Sequence, residues 1–173
     1  MISADGPVDC VRAMEESDLE LVLSWRNHPD IRRFMYSQDE ISVDEHLDWF
    51  RHAIEQKTKH LLIFEIEKIP HGFVQFSKLR GEPVAEWGFY AEPNALAGIG
   101  MRMGQTALRY AFIELGFKKI CGQALAYNAK SIKFHHKLGF QQEGLLRNQH
   151  YDGKSFHDVY CFGLLRSEWV LAS

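Results

Sequence analysis

Polar and apolar positions change period several times along this chain, and each change marks an element. Residues 8 to 14, "VDCVRAM", read as a strand. "SDLELVLSWRNH" opens with Ser17 and carries Glu20 three positions later, the spacing of a capping box; it predicts a helix from about 18 to 28 that stops before Pro29. Residues 29 to 41 read as a loop with one turn of helix. "SVDEHLDWFRHAIEQ" repeats the box with Ser42 and Glu45, and sets Val43, Leu47, Phe50 and Ile54 on one face of a second helix. The period then falls to two. "HLLIFEIE", "FVQFSKL" and "VAEWGFYA" are three strands of a meander separated by turns, the first at Pro70–Gly72. After Gly100 a helical stripe returns, with Met103, Ala107, Leu108, Ala111, Phe112 and Leu115 in line. "KKICGQALA" is a strand, and Asn128 caps a helix over "AKSIKFHHKL" that ends at Gly139. "FQQEGLLRNQHY" and "FHDVYCFGLL" form a hairpin around Asp152–Gly153.

The order is strand, two helices, three strands, helix, strand, helix, two strands. It predicts one α/β domain over 1–173: a mixed, mainly antiparallel sheet of about seven strands flanked by about four helices. Strict strand–helix alternation, and with it a doubly wound sheet, is excluded.

Composition narrows the function classes. The net charge of −3 gives no overall pull toward nucleic acid. Three cysteines, Cys10, Cys121 and Cys161, have no metal-like spacing and fit a reduced, cytoplasmic protein. Nine histidines are scattered without an HExxH or CxxC pattern, so no metal site is expected. "MISADGPVDC" lacks the basic start and apolar run of a leader, and no apolar run approaches the roughly 20 residues of a membrane span.

The stretch between the third meander strand and the next helix, "AEPNALAGIGMRMG", is the first candidate for chemistry. A Walker A loop needs a lysine followed by Ser or Thr, which is absent here. A dinucleotide fingerprint needs a third glycine where Met103 stands, and belongs in the first strand–helix unit. Two readings stay open on spacing alone. Gly98 and Gly100 could let backbone amides of residues 98 to 102 cradle a pyrophosphate at a helix N-terminus, or could serve the geometry of the turn.

The surrounding residues resemble the GNAT superfamily of acetyl-CoA-dependent N-acetyltransferases. Its loop signature, Gln/Arg-x-x-Gly-x-Gly/Ala, is met at Gly98 and Gly100 but not at Ala95, and Arg102 is the candidate to compensate. Its second element is met by "YNAKSIKFHHKLGF" at Asn128, Ser131, Ile132, Phe134, Lys137, Gly139 and Phe140. The resemblance implies that the phosphates are those of coenzyme A. The loop positions Ala97, Gly98, Ile99, Gly100, Met101 and Arg102 would hold them. The backbone of Phe89, Tyr90 and Ala91 would pair with the pantetheine arm, aided by Asn128, Ser131 and Lys137.

For the chemistry, an amine attacks the acetyl thioester and must lose a proton. Glu86 shares a strand face with Gly88 and Tyr90 and is the candidate base. The backbone near Tyr90 is the implied oxyanion donor. The family places Tyr five positions before the Phe of "GF"; this chain has His135 there, the candidate acid for the leaving thiolate.

The acceptor is expected at the end of the first helix. "WRNHPDI" with the following "FM", the "EHL" of the second helix, and "WGFYA" resemble the enzymes of pseudaminic acid biosynthesis, which acetylate the C4 amine of a UDP-linked amino-deoxy sugar. Arg26, Asn27, His28, Met35 and Tyr90 would then line a nucleotide-sugar site, with the His150–Tyr151 hairpin near it. Acetylation of protein N-termini or of small amines such as polyamines is the rival activity, and an acyl-CoA-binding module the rival without turnover. A monomer or a homodimer paired through the last hairpin is compatible with the pattern.

Overall fold

A computed structural model describes residues 8–80 and 82–172. Residues 1–7, most of the stretch read for a leader, lie outside them. Strand β1 (Asp9–Ala13) leads into helices α1 (Leu19–Arg26), α2 (Pro29–Arg32) and α3 (Val43–Glu55). The meander follows as β2 (Lys59–Ile66), β3 (Ile69–Lys78) and β4 (Val84–Ala91). Helix α4 (Ile99–Arg109), continued by a wider turn over Tyr110–Glu114, leads to β5 (Lys119–Leu125) and α5 (Ala129–Lys137). The hairpin β6 (Gln141–Tyr151) and β7 (Phe156–Leu165) closes the sheet, and α6 (Arg166–Ala172) follows. Among the described residues, seven strands and six helices make a mixed α/β fold with strand order β1-β2-β3-β4-β5-β7-β6.

Several expectations are corrected. The first helix does not start at a Ser17–Glu20 box. Its entry is set by Asp18, whose carboxylate accepts the Glu15 amide at 2.8 Å and both Arg12 guanidinium nitrogens at 2.7 and 2.8 Å. That buried ion pair holds the chain in a short turn over Glu16–Asp18 before α1 begins. The second box is present as read, Ser42 Oγ accepting from Glu45 N–H and Glu45 from Ser42 N–H. However, α3 buries His46, Phe50 and Ala53, and leaves Val43 and Ile54 exposed. The helix faces the sheet with a stripe that contains a histidine, which a hydrophobic count passes over. The turn of helix expected within residues 29–41 is α2, and the short helix α6 was not expected.

Apolar side chains pack on both faces of the sheet. On one face Phe64, Phe76, Trp87, Ile120 and Phe162 meet Met103, Leu108 and Phe112 of α4 and its extension. On the other, Ile63 and Phe73 meet Val22 and Trp25 of α1 and Phe50 of α3. Both layers are thin enough that small residues matter. A Cβ on Gly104 of α4 would sit 2.7 Å from the Phe134 ring and 2.8 Å from Leu138, so glycine lets α4 and α5 pack this closely.

One feature of the sheet prepares the site. Strands β4 and β5 are its parallel pair, and they pair over only three residues, ending at Glu86 opposite Cys121. Beyond that point β4 stays on β3 as far as Ala91, and β5 stays on β7 as far as Leu125. The two strands splay apart, and each presents an unpaired backbone edge to the gap.

Candidate active site

The splay and the loop after β4 form one continuous donor side. Glu92 N–H donates to His71 O at 2.8 Å, and Leu79 N–H to Val84 O at 2.9 Å. These two bonds fix the alternation along β4, so even-numbered residues bond to β3 and odd-numbered ones point away. The peptides of Phe89 and Ala91, beyond the last β4–β5 pair, therefore face the gap. The peptide of Tyr90 goes to Phe73 on β3. The Tyr90 amide itself is thus committed to β3, and the backbone near it that faces the gap belongs to Phe89 and Ala91.

Past β4, Gly98 has φ +93°, a left-handed conformation that side chains resist, and it caps α4. The Ile99 amide is taken by Leu96 O and the Arg102 amide by Gly98 O. Those of Gly98, Gly100 and Met101 have no hydrogen-bond partner among the described residues. A Cβ on Gly98 or Gly100 would meet nothing within 4 Å, so the space above these amides is open. Free amides at a helix start with open space above them fit a pyrophosphate. Ala97 is exposed beside them. Arg102 does not compensate for Ala95: its guanidinium forks onto the Asp9 carboxylate of β1, which holds its pKa above the ordinary arginine value.

Asn128 caps α5 through Oδ1, accepting from Ser131 N–H at 3.1 Å, and this leaves its amide hydrogens for a ligand. Ser131 turns its hydroxyl to within 3.5 Å of His135 Nδ1 rather than outward. Lys137 is exposed on the last turn of α5.

The candidate acceptor side is a cleft of about 230 Å³, lined by Arg26, Met35, Ile41, His46, Trp49, Phe73, Gln75, Gly88, Phe89 and Tyr90. No carboxylate is among these residues. Its volume is below the roughly 300–1,000 Å³ of a site enclosing a drug-sized ligand.

The cleft's cation is unusual. Arg26 is only 9 % exposed. Its Nη2 donates to Ser37 O at 2.6 Å, and its Nη1 has no partner among the described residues. Burial pulls its pKa below the ordinary value, with Arg32 adding to the effect and Tyr90 opposing it. His46 is also buried, with Nε2 unpartnered among the described residues and its ring stacked on Trp49 at 5.1 Å; burial lowers its pKa. Burial raises the Tyr90 phenol above its ordinary range, with Arg26 acting against it. A buried cation with one nitrogen left over and flat rings around it fits an anionic, planar group.

Two expected acceptor residues serve the backbone instead. Asn27 donates to Ile41 O at 2.8 Å and accepts Ile41 N–H at 2.9 Å, pinning the loop that carries Met35. His28 caps α2, its Nδ1 accepting Asp30 N–H at 3.2 Å. Neither lines the cleft. The residues sequence reading missed are Ile41, His46, Trp49, Phe73 and Gln75. The spacing of Ser42, His46 and Trp49 on one helix carried a signal. Gln75 was invisible until β3 pairing set it opposite Gly88.

Glu86 is half-buried on the Gly88–Tyr90 face, at the vertex of the splay, but is not part of the cleft lining. It borders Tyr36, Cys121 and Cys161, adding to the upward push that burial gives each of their pKa values. His135 is fully buried. Its Nε2 accepts the Trp87 indole N–H at 3.2 Å and its Nδ1 faces Ser131 O at 2.8 Å, which fixes the neutral tautomer with the proton on Nδ1. Burial lowers its pKa to about 4. A ring so engaged has no proton to give at neutral pH, so the leaving-group acid expected at this position is not there.

Residues 10–141 match the family described as acetyltransferase (GNAT) domain. The chain is similar to acetyltransferase PseH of Campylobacter jejuni, 30% identical over 128 residues that cover 73% of this chain and 79% of the relative. It is also similar to a spermidine N(1)-acetyltransferase of Vibrio cholerae, 22% identical over 92% of this chain and 94% of the relative. In shape it resembles the spermidine N-acetyltransferase of V. cholerae solved with CoA and spermine, with a TM-score of 0.86, 22% identity, and coverage of 94% and 98% of the two chains. The family match spans most of the chain, including the splayed strands and the glycine-capped helix, and the protein belongs to the GNAT acetyltransferase family.

Proposed function

We propose that this acetyl-CoA-dependent N-acetyltransferase acts on the C4 amine of a UDP-linked amino-deoxy sugar, as in the pseudaminic acid pathway that supplies flagellin glycosylation in the cytoplasm. The observation that carries the reading is the cleft's electrostatics. It is lined by a buried arginine whose Nη1 has no partner among the described residues, and by no carboxylate. A phosphate satisfies that arginine, whereas a polyamine brings like charge to it. This weighs against spermidine as acceptor despite the shape shared with spermidine acetyltransferases. The similarity to PseH and the "WRNHPDI" block point the same way.

Acetyl-CoA supplies the activated acetyl group as a thioester. Phe89 and Ala91 offer backbone amides to its arm and carbonyl oxygen, and Asn128 a side-chain amide. Arg26, Met35 and the rings around them hold the acceptor. Glu86 receives the amine's proton, directly or through water. A thiol's ordinary pKa is about 8.5, so the departing thiolate needs little help from a protein acid, and solvent supplies that proton.

The test is thiol release from acetyl-CoA with the UDP-4-amino sugar offered beside spermidine and N-terminal peptides. Preferential turnover of the sugar is expected. Preference for spermidine or a peptide would overturn the acceptor reading and leave the acetyltransferase standing.

A further inference from the structure

The sheet consists of two halves, β1–β4 and β5–β7–β6, joined by three backbone pairs that stop at Glu86 and Cys121. The next residues are Trp87 on β4 and Gly122 on β5, and His135 of α5 lies over that point. Its ring stacks on Phe162 of β7, with 4.7 Å between centroids and 7° between planes. It meets Phe140 edge-on at 5.0 Å and accepts the Trp87 indole N–H. A Cβ on Gly122 would come within 2.5 Å of His135 Nε2 and 2.7 Å of Trp87 Nε1. Glycine is what lets the histidine–indole pair cross β5. His135 thus bonds to one half-sheet and packs on the other at the residue where the ladder gives out.

We propose that His135 is a positioning residue that sets the separation of β4 and β5 at the vertex of their splay, and so the width of the slot that receives the thioester end of acetyl-CoA. The inference rests on acetyl-CoA as donor and is independent of which amine accepts. An apolar side chain at 135 fills the same volume but leaves the indole N–H buried without an acceptor, a state the chain relieves by moving the ring. The Trp87 ring lies 4.6 Å from that of Phe89, whose peptide faces the gap. A shift of Trp87 is therefore passed to the edge that meets the pantetheine arm.

The experiment uses His135→Phe, His135→Gln and Trp87→Phe, with CoA binding measured by calorimetry and the Trp87 indole N–H followed by ¹⁵N-resolved NMR. Gln carries an acceptor near the position of Nε2. His135→Phe should move the indole resonance upfield and weaken CoA about tenfold, the order expected for one stranded buried donor. His135→Gln should restore both to within about threefold of the parent. Trp87→Phe should weaken CoA to the same degree with His135 in place, which decides the matter even if His135→Phe does not fold. The loss should appear in the Kd of CoA and the KM of acetyl-CoA rather than in turnover at saturating donor. Unchanged CoA binding in the folded variants would overturn the proposal, as would failure of Gln to restore it. A fall in kcat with Kd unchanged would return His135 to proton transfer.

Discussion

Replacing Arg26 with methionine separates a cation that holds substrate from one that holds the fold. Among the described residues the guanidinium makes a single hydrogen bond, to Ser37 O, and Nη1 has no partner. The variant loses that charged hydrogen bond, about 1.5–3 kcal/mol. It also escapes the penalty of burying an uncompensated cation, itself a few kcal/mol. The two offset, so stability should change by about 1 kcal/mol or less, or a melting shift of roughly 2–4 °C for a chain of this size. Binding has no such offset. An anion on Nη1 in a desolvated cleft is worth about 2–5 kcal/mol, or roughly thirtyfold to a few thousandfold in kcat/KM. The assay is thiol release at saturating acetyl-CoA, titrating the UDP-linked amino sugar and the same sugar without UDP, beside a thermal melt. The UDP-linked sugar should lose most and the unlinked one little. Equal loss for both, or a melting drop beyond about 8 °C, would make Arg26 a structural residue and refute the reasoning.

Three further outcomes are expected. Gly100→Asp places a carboxylate in open space at the start of α4, where negative charge favours the helix, so melting should hold or rise while CoA weakens by tenfold or more; a parallel fall in both would locate the phosphates elsewhere. Glu86→Gln should lower kcat about a hundredfold with the KM of acetyl-CoA little changed, and a retained kcat would assign the base to another group. The third concerns acid stability. His135 titrates near 4 in the fold, against about 6.5 in the unfolded chain. Between those values the unfolded chain binds the extra proton, so its burial costs about 3 kcal/mol of stability as pH falls from 6.5 to 4, and nothing more below. His135→Gln should remove this part of the acid limb in denaturant titrations, and an unchanged limb would contradict the buried neutral ring.

The period of the apolar positions determined the seven strands, their order along the chain and the long helices, because burial of one face imposes that period wherever the chain lies. Local chemistry determined the caps at Ser42 and Asn128 and the open amides around Gly98 and Gly100, since these depend on residues within a turn of each other. Side-chain partners distant in sequence were decided by the fold. Arg102 is next to the phosphate loop in sequence, yet β1 brings Asp9 to it. His135 occupies the acid's position in the motif, yet Gly122 and Trp87 draw its ring into the core and hold it neutral. Asn27 reads as a ligand contact, yet the return of the chain at Ile41 takes both of its polar groups. Arg26 is the converse: nothing local marks its Nη1 as unpartnered, and only the packing of α1, α3 and the β3–β4 face buries it without a carboxylate. A side chain's intrinsic chemistry is written in the sequence, but its charge state and free valence depend on neighbours that only tertiary packing supplies.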